Sequence, residues 1–160
     1  MSALHPTSRL LRFDELSVTD LYALLRLRAE VFVVEQDCAY QDIDGLDGES
    51  LHLLYTFGDD LVAYARVLPP GLDFADASAI GRVVTAPAYR RRGLGRPLMR
   101  EAVACCERLH PGHPIKLHAQ TYLLAFYREF GFEPYGEEFL EDGLPHYFME
   151  RRSRSAESLP

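Results

Sequence analysis

Apolar positions along the chain fall into short runs of two kinds, some nearly continuous and some recurring every three or four residues. Residues 51–57 and 61–68 are apolar, aromatic-rich runs separated by Gly58-Asp59-Asp60, which predicts a β-hairpin with a tight turn. Pro69 and Pro70 stop its second strand, because proline cannot donate to the ladder. Similar runs at residues 10–13, 80–85, 115–120 and 147–150 predict further strands. Leu21, Leu24, Leu25 and Arg28 recur at helical spacing behind Thr19 or Asp20, either of which can cap a helix that should fade near Val33. Leu98, Ala102, Cys105, Cys106 and Leu109 mark one face of a second helix, with Pro97 in its first turn, where no backbone donor is lost. Residues 122–130 read as a short third helix closed by Gly131.

The predicted order is strand, helix, three strands, helix, strand, helix, and one or two strands. Helices interrupt a mixed, mostly antiparallel sheet instead of following every strand, so the expected class is α/β of the α+β type, and a doubly wound nucleotide fold is disfavoured. A chain of 160 residues with 48% apolar content supports one core. Residues 1–152 are therefore expected to form a single domain, and residues 153–160 a polar, disordered tail. Residues 37–50 form a long acidic loop containing Asp42, Asp44, Asp47 and Glu49, with too little apolar material to pack alone.

Charge narrows the choice of partners. With 24 acidic against 17 basic residues and a formal charge of -7, the chain lacks the cationic surface of a general nucleic-acid binder. The N-terminus has no signal-peptide pattern and no apolar run approaches the roughly 20 residues that span a bilayer, so a cytoplasmic protein without membrane contact is expected. The three cysteines, Cys38, Cys105 and Cys106, form neither an even disulfide set nor a C-x-x-C zinc pair. Cys105 and Cys106 read as small helical hydrophobes, and Cys38, in a polar loop, as the reactive thiol. His5, His110 and His113 lack metal-ligand spacing, so no metal is expected.

Against that acidic background, Arg90, Arg91, Arg92 and Arg96 cluster around Gly93, Leu94 and Gly95, between a predicted strand and a predicted helix. Backbone N–H groups at such a loop converge with the positive end of the helix dipole, and glycines let an anion approach the backbone closely. A diphosphate is the natural ligand. The G-x-x-x-x-G-K-S/T and G-x-G-x-x-G phosphate motifs are absent.

Arg90-Arg91-Arg92-Gly93-Leu94-Gly95 resembles the R/Q-x-x-G-x-G/A pyrophosphate loop of the GNAT N-acetyltransferase superfamily, and Leu124-Ala125-Phe126-Tyr127-Arg128-Glu129-Phe130-Gly131-Phe132 resembles its later helix motif. Val31-Phe32-Val33-Val34-Glu35-Gln36, Tyr40-Gln41-Asp42-Ile43-Asp44-Gly45 and Glu141-Asp142-Gly143-Leu144-Pro145-His146 are similar to the small bacterial ElaA-like branch. The likeness covers roughly residues 10–150. It implies a GNAT acyl-CoA N-acyltransferase fold, acetyl-CoA as co-substrate, and direct attack by a primary amine of a small molecule or protein. It also implies that Val83, Val84 and Thr85 align the pantetheine arm, that residues 90–96 hold the diphosphate, and that Tyr127 is the general acid. Outside the resemblance, Tyr127 reads as a helix tyrosine packed on the sheet; the motif puts the catalytic role ahead of that reading.

Acetyl transfer further needs an oxyanion donor, most simply a backbone N–H of residues 83–85, and a base. His118 is the first choice of base, followed by Glu35, His52, His146 or a water chain. Glu35, Asp42 and Asp44 either line the acceptor side, attracting a cationic amine, or form a solvated acidic loop. A non-catalytic acyl-CoA sensing module is the main alternative. An acyl-homoserine-lactone synthase, suggested by Arg28, Val31-Phe32 and Asp42, Asp44 and Asp47, fits less well with a tryptophan-free chain that carries the glycine loop. A homodimer is compatible with the fold class.

Overall fold

The computed structural model describes residues 5–153; most of the expected polar tail, residues 154–160, lies outside the described residues. Strand β1 spans Thr7–Arg12, earlier than the apolar run suggests, because Phe13–Glu15 closes into a single 3-10 turn. Helix α1, Val18–Arg28, is capped by neither Thr19 nor Asp20 but by Ser17, whose Oγ accepts the Asp20 N–H at 3.0 Å. It continues into a π-helical stretch, Ala29–Glu35. Strands β2 (Leu51–Phe57), β3 (Asp60–Leu68) and β4 (Ser78–Thr85) follow, then helix α2 (Gly95–Leu109), strand β5 (Ile115–Gln120) and the short helix α3 (Leu124–Arg128).

The chain ends in a hairpin, β6 (Glu133–Glu141) and β7 (Leu144–Arg151), of which the apolar pattern indicates only residues 147–150. Strand β6 lies at the edge of the sheet and is mostly exposed, so it carries no apolar run. Its turn has a readable signal nonetheless: Asp142 and Gly143 both take positive φ, 51° and 80°, as a two-residue primed hairpin turn requires.

The seven strands run in the order β1-β2-β3-β4-β5-β7-β6. Every neighbouring pair is antiparallel except β4 and β5. Alternation along the central strands separates two cores. Leu53, Ala63 and Ala65 pack with Leu98, Met99 and Ala102 of α2, while Leu54, Tyr64 and Val84 pack with Leu24, Leu27 and Val31. Leu109, the last residue of α2, belongs to neither core and is 44% exposed.

The acidic segment before β2 is packed by charge, not by apolar contact. Arg28, fully buried, donates to Asp42 Oδ2 at 3.0 Å and to Asp47 Oδ1 at 2.7 Å. Arg66, 4% exposed on β3, donates to Asp44 Oδ1 and Asp47 Oδ1, each at 2.9 Å. Arg82 on β4 donates to Asp42 Oδ1 at 2.8 Å. Buried guanidinium groups need carboxylate partners, and three aspartates on one loop supply them to three elements. Burial opposes the charge of Asp44, yet hydrogen bonds from Arg66 and the Leu46 N–H, with the Arg66 and Arg82 charges, hold its carboxyl down at about 2.

Removing one partner strands the others in the interior. Arg28→Ala should therefore cost about 3–5 kcal/mol in urea denaturation. Because the folded-state pKa of Asp44 is depressed from the ordinary 3.8 to about 2, the stability it contributes is complete above the ordinary value and lost as pH falls between the two. Asp44→Asn should flatten the fall of the denaturation midpoint across that window, and an unchanged slope would contradict this assignment.

Candidate functional site

Strands β4 and β5 pair only at Ser78–Ile115 and Ala79–Lys116, then diverge and leave a wedge in the middle of the sheet. The wedge opens where β4 bulges: β3 advances two residues between the pairs Tyr64–Val84 and Arg66–Gly81, while β4 advances three. Arg82 supplies the extra residue at φ 51°, a left-handed conformation that a non-glycine residue keeps only when its surroundings hold it. Asp42 does so through its carboxylate and also through its carbonyl oxygen, which accepts from Arg82 Nη2 at 3.0 Å. The Arg82 guanidinium also lies 5.6 Å from the centroid of the Tyr40 ring.

The resulting cleft has a volume of about 770 Å³. Val83, Val84 and Thr85 of β4 line it together with His118 of β5 and Tyr127 of α3. A second, smaller hollow of about 200 Å³ lies at the N-terminus of α2 between residues 90–96 and Phe126. Thr85 and Arg90 line both spaces, so the two adjoin between the loop and β4.

The loop offers backbone donors and charge together. Gly93 sits at φ 74°, and a Cβ there would meet nothing within 4 Å; its lack of a side chain leaves that side open to an anion. No side chain caps the first turn of α2, and no acidic residue lies in it, so its orphan N–H groups and dipole face the hollow. Two of the four arginines are engaged: Arg90 forks onto Glu35 at 2.5 and 3.0 Å, and Arg96 onto Glu129 at 2.9 and 3.2 Å. Arg92 stacks over Tyr89 at 5.5 Å.

Tyr127 is 8% exposed and stacks edge-on with Phe126 and Phe132. Burial pushes its phenol up to about 12, so it holds its proton at neutral pH. His118 reaches the same cleft, but both of its nitrogens contact carboxylates: Nδ1 meets Glu141 Oε1 at 2.7 Å and Nε2 meets Asp73 Oδ2 at 3.1 Å. Burial opposes a charge on the ring, and the hydrogen bonds to Asp73 and Glu141 outweigh it, raising His118 to about 9. In this arrangement His118 is an imidazolium with no lone pair to offer, which argues against the base suggested for it.

The other candidates separate as clearly. His52 is fully buried away from the cleft, with Nδ1 2.7 Å from the Tyr64 hydroxyl and Nε2 2.9 Å from the Asp47 carbonyl. Burial also holds its basicity down. Asp42 is buried and paired with Arg28 and Arg82, whereas Asp44 lines the cleft and stays exposed while paired with Arg66 and Arg82. Glu35 lies on the cleft rim, tied to Arg90. His146 is on the cleft wall and 6% exposed. Cys38 is buried rather than exposed in a polar loop, its thiol donating to the Asp142 carbonyl at 3.2 Å.

A profile of the acetyltransferase (GNAT) domain matches residues 18–153. The chain belongs to the GNAT acetyltransferase family. Among GNAT relatives, protein ElaA of Escherichia coli K12 is 48% identical over 143 residues, 88% of this chain and 93% of the relative. The crystal structure of Escherichia coli ElaA superposes with a TM-score of 0.85 at 44% identity, covering 91% of this chain and 99% of that one. An acyl-CoA N-acyltransferase of Pseudomonas aeruginosa superposes at 0.87 and 43% identity, covering 92% and 99%. The mostly antiparallel seven-stranded sheet is thus the GNAT acyl-CoA N-acyltransferase fold, of an ElaA-like member, in a family that uses acyl-CoA. Among the described residues no helix is long and apolar enough to cross a membrane.

Sequence reasoning overlooked four side chains that shape this GNAT site: Arg66, Asp73, Arg82 and Glu141. Arg66 and Arg82 are single charges inside apolar strand runs, and a charge at such a position demands a buried partner. That demand points to the acidic loop. The charge on His118 yields a stability signature. Its folded-state pKa is raised, so its contribution is complete below the ordinary 6.5 and is lost as pH rises toward 9. The thermal midpoint should decline across that interval, and His118→Gln should remove the decline; an equal slope in the variant would contradict the assignment.

Proposed function

We propose that this protein transfers an acetyl group from acetyl-CoA to a primary amine of a small molecule or protein, by direct attack within a ternary complex. The observation that carries this reading is that the hollow at the arginine-glycine loop and the cleft along the bulged strand β4 share Thr85 and Arg90, with Tyr127 also lining the cleft. A diphosphate bound at residues 90–96 would send the pantetheine arm along Val83, Val84 and Thr85, whose backbone can pair with its amides. The thioester then lies near the bulge, where a backbone N–H can meet the oxyanion.

Attack by the neutral amine forms the C–N bond and breaks the C–S bond. The departing thiolate takes a proton from Tyr127, a phenol that stays protonated at neutral pH because burial holds it near 12. Acid-base catalysis has a use on this wall of the cleft, whereas a module that only senses acyl-CoA would have none for a proton donor at the sulfur. No group of three or more His, Cys, Asp or Glu side chains among the described residues is arranged to hold a metal, and no step of the proposed reaction calls for one.

Calorimetric titration with acetyl-CoA, alongside CoA and S-adenosylmethionine, tests the reading. Saturable binding of acetyl-CoA is expected, and it should disappear in a folded Arg92→Glu/Gly93→Asp variant. Binding of S-adenosylmethionine instead would turn the reading toward a lactone synthase. Tyr127→Phe should keep acetyl-CoA affinity and lower thiol release in an amine screen by about 100-fold or more; undiminished release would remove Tyr127 from the mechanism.

A further inference from the structure

The carboxylate of Glu141 lies beside two imidazoles of the cleft at different distances. Its Oε1 lies 2.7 Å from His118 Nδ1, and its Oε2 lies 3.5 Å from His146 Nε2. The first contact is a short hydrogen bond, and the second is longer than the roughly 3.2 Å reached by an N–H···O bond. His146 Nδ1 lies 2.7 Å from the Leu144 carbonyl oxygen, and a carbonyl can only accept. In the neutral form of the ring the proton is therefore on Nδ1, and the lone pair is on Nε2. The ring is held in place by stacking on Phe139, with centroids 6.0 Å apart, and by pairing of its backbone position with Gln120 of β5.

We propose that His146 takes the acceptor amine's proton at Nε2, while His118 stays a fixed imidazolium, the two rings being coupled through the single carboxylate of Glu141. This rests on the acetyl-transfer reading of the cleft. The reaction balances as follows: an ammonium R–NH3+ gives one proton to His146 Nε2, and the neutral amine attacks the thioester carbon. The C–S bond breaks as Tyr127 protonates the thiolate. The second nitrogen proton, lost as the amide forms, returns to Tyr127 through water. His146 releases its proton to solvent, so one proton leaves per turnover.

Glu141 makes this division of labour work. Its proton-accepting capacity is held down by the hydrogen bond from His118 first, despite burial, and by the charges of His118, His146 and Arg82. It stays an anion 3.5 Å from His146 Nε2 and stabilises by its charge the imidazolium that forms there, while the Leu144 carbonyl on Nδ1 orients the ring. Asp73 holds the far nitrogen of His118 at 3.1 Å, which favours keeping the positive charge on that ring. The groups that set the field at His146 are Glu141 of β6, Asp142 in the hairpin turn, His118 of β5 with Asp73 behind it, Arg82 of β4, and the Cys38 thiol bound to the Asp142 carbonyl.

Two measurements on the intact chain decide the matter. Nitrogen-15 NMR of histidine-labelled protein at pH 7 should show His146 as the Nδ1–H tautomer, with Nε2 bare, and His118 protonated at both nitrogens. A His146 ring protonated at Nε2, or a neutral His118, overturns the proposal. The kinetic arm uses two probe amines with acetyl-CoA: n-propylamine, an ammonium ion at neutral pH, and hydroxylamine, which is already neutral there. His146→Gln should slow thiol release to n-propylamine by about 100-fold or more while changing the hydroxylamine rate much less, and should erase the acid limb of the n-propylamine pH profile. Equal losses for both amines, or none for either, contradict a base at His146. Calorimetry on the same samples keeps the two claims apart: failure of the wild-type chain to bind acetyl-CoA defeats the transfer reading, whereas the NMR result judges the His146 assignment alone.

Discussion

The geometry of this protein depends on one arrangement, three arginines from three elements converging on three aspartates of one loop. Arg28 ends α1, Arg66 lies in β3 and Arg82 forms the bulge of β4. None of them can be buried alone, because an unpaired charge in the interior costs several kcal/mol. Asp42, Asp44 and Asp47 satisfy all three at once, so the loop, the helix and the two strands are locked in mutual register. The lock holds Arg82 in a left-handed backbone conformation that would otherwise be unfavourable, and that conformation lets β4 leave its neighbour.

The cleft follows from that departure. Once β4 and β5 separate beyond Ala79 and Lys116, strand edges in the middle of a sheet become available to a ligand, a position where backbone donors need no side chain to be useful. The two ends of the space then differ in chemistry. Toward α2 lie glycine, arginine and uncapped helix N–H groups; toward the β6–β7 hairpin lie paired imidazoles and carboxylates. In the proposed reading, an anionic cofactor and an amine acceptor would enter from opposite ends of this space, with the reactive carbon between them.

Much of this was legible from the chain. The loop at residues 90–95 announces itself because arginines clustered with glycines in an acidic protein have few purely structural uses, and the β2–β3 hairpin is plain from its apolar runs. The edge strand β6 was not legible, since Glu133, Glu137 and Glu138 face water and leave no periodic apolar signal. The bulge was hidden for a different reason: it is a relation between two strands, and only a lone arginine inside an apolar run hints at it. The roles of the histidines were hardest to read, because the state of an imidazole is set by what each nitrogen touches. His118 and His146 look alike in sequence, yet His118 is clamped by two carboxylates, while His146 meets a carbonyl at Nδ1 and the Glu141 carboxylate only at 3.5 Å from Nε2.

Amide hydrogen exchange with and without saturating acetyl-CoA tests the central claim most directly, that loop and bulged strand form one cofactor track. The account predicts that residues 83–85 and 93–96 gain protection together, with the Arg28–Asp47 region unchanged because it is already locked. Protection confined to one of those two segments, or appearing on the far face of the sheet against α1, would contradict it.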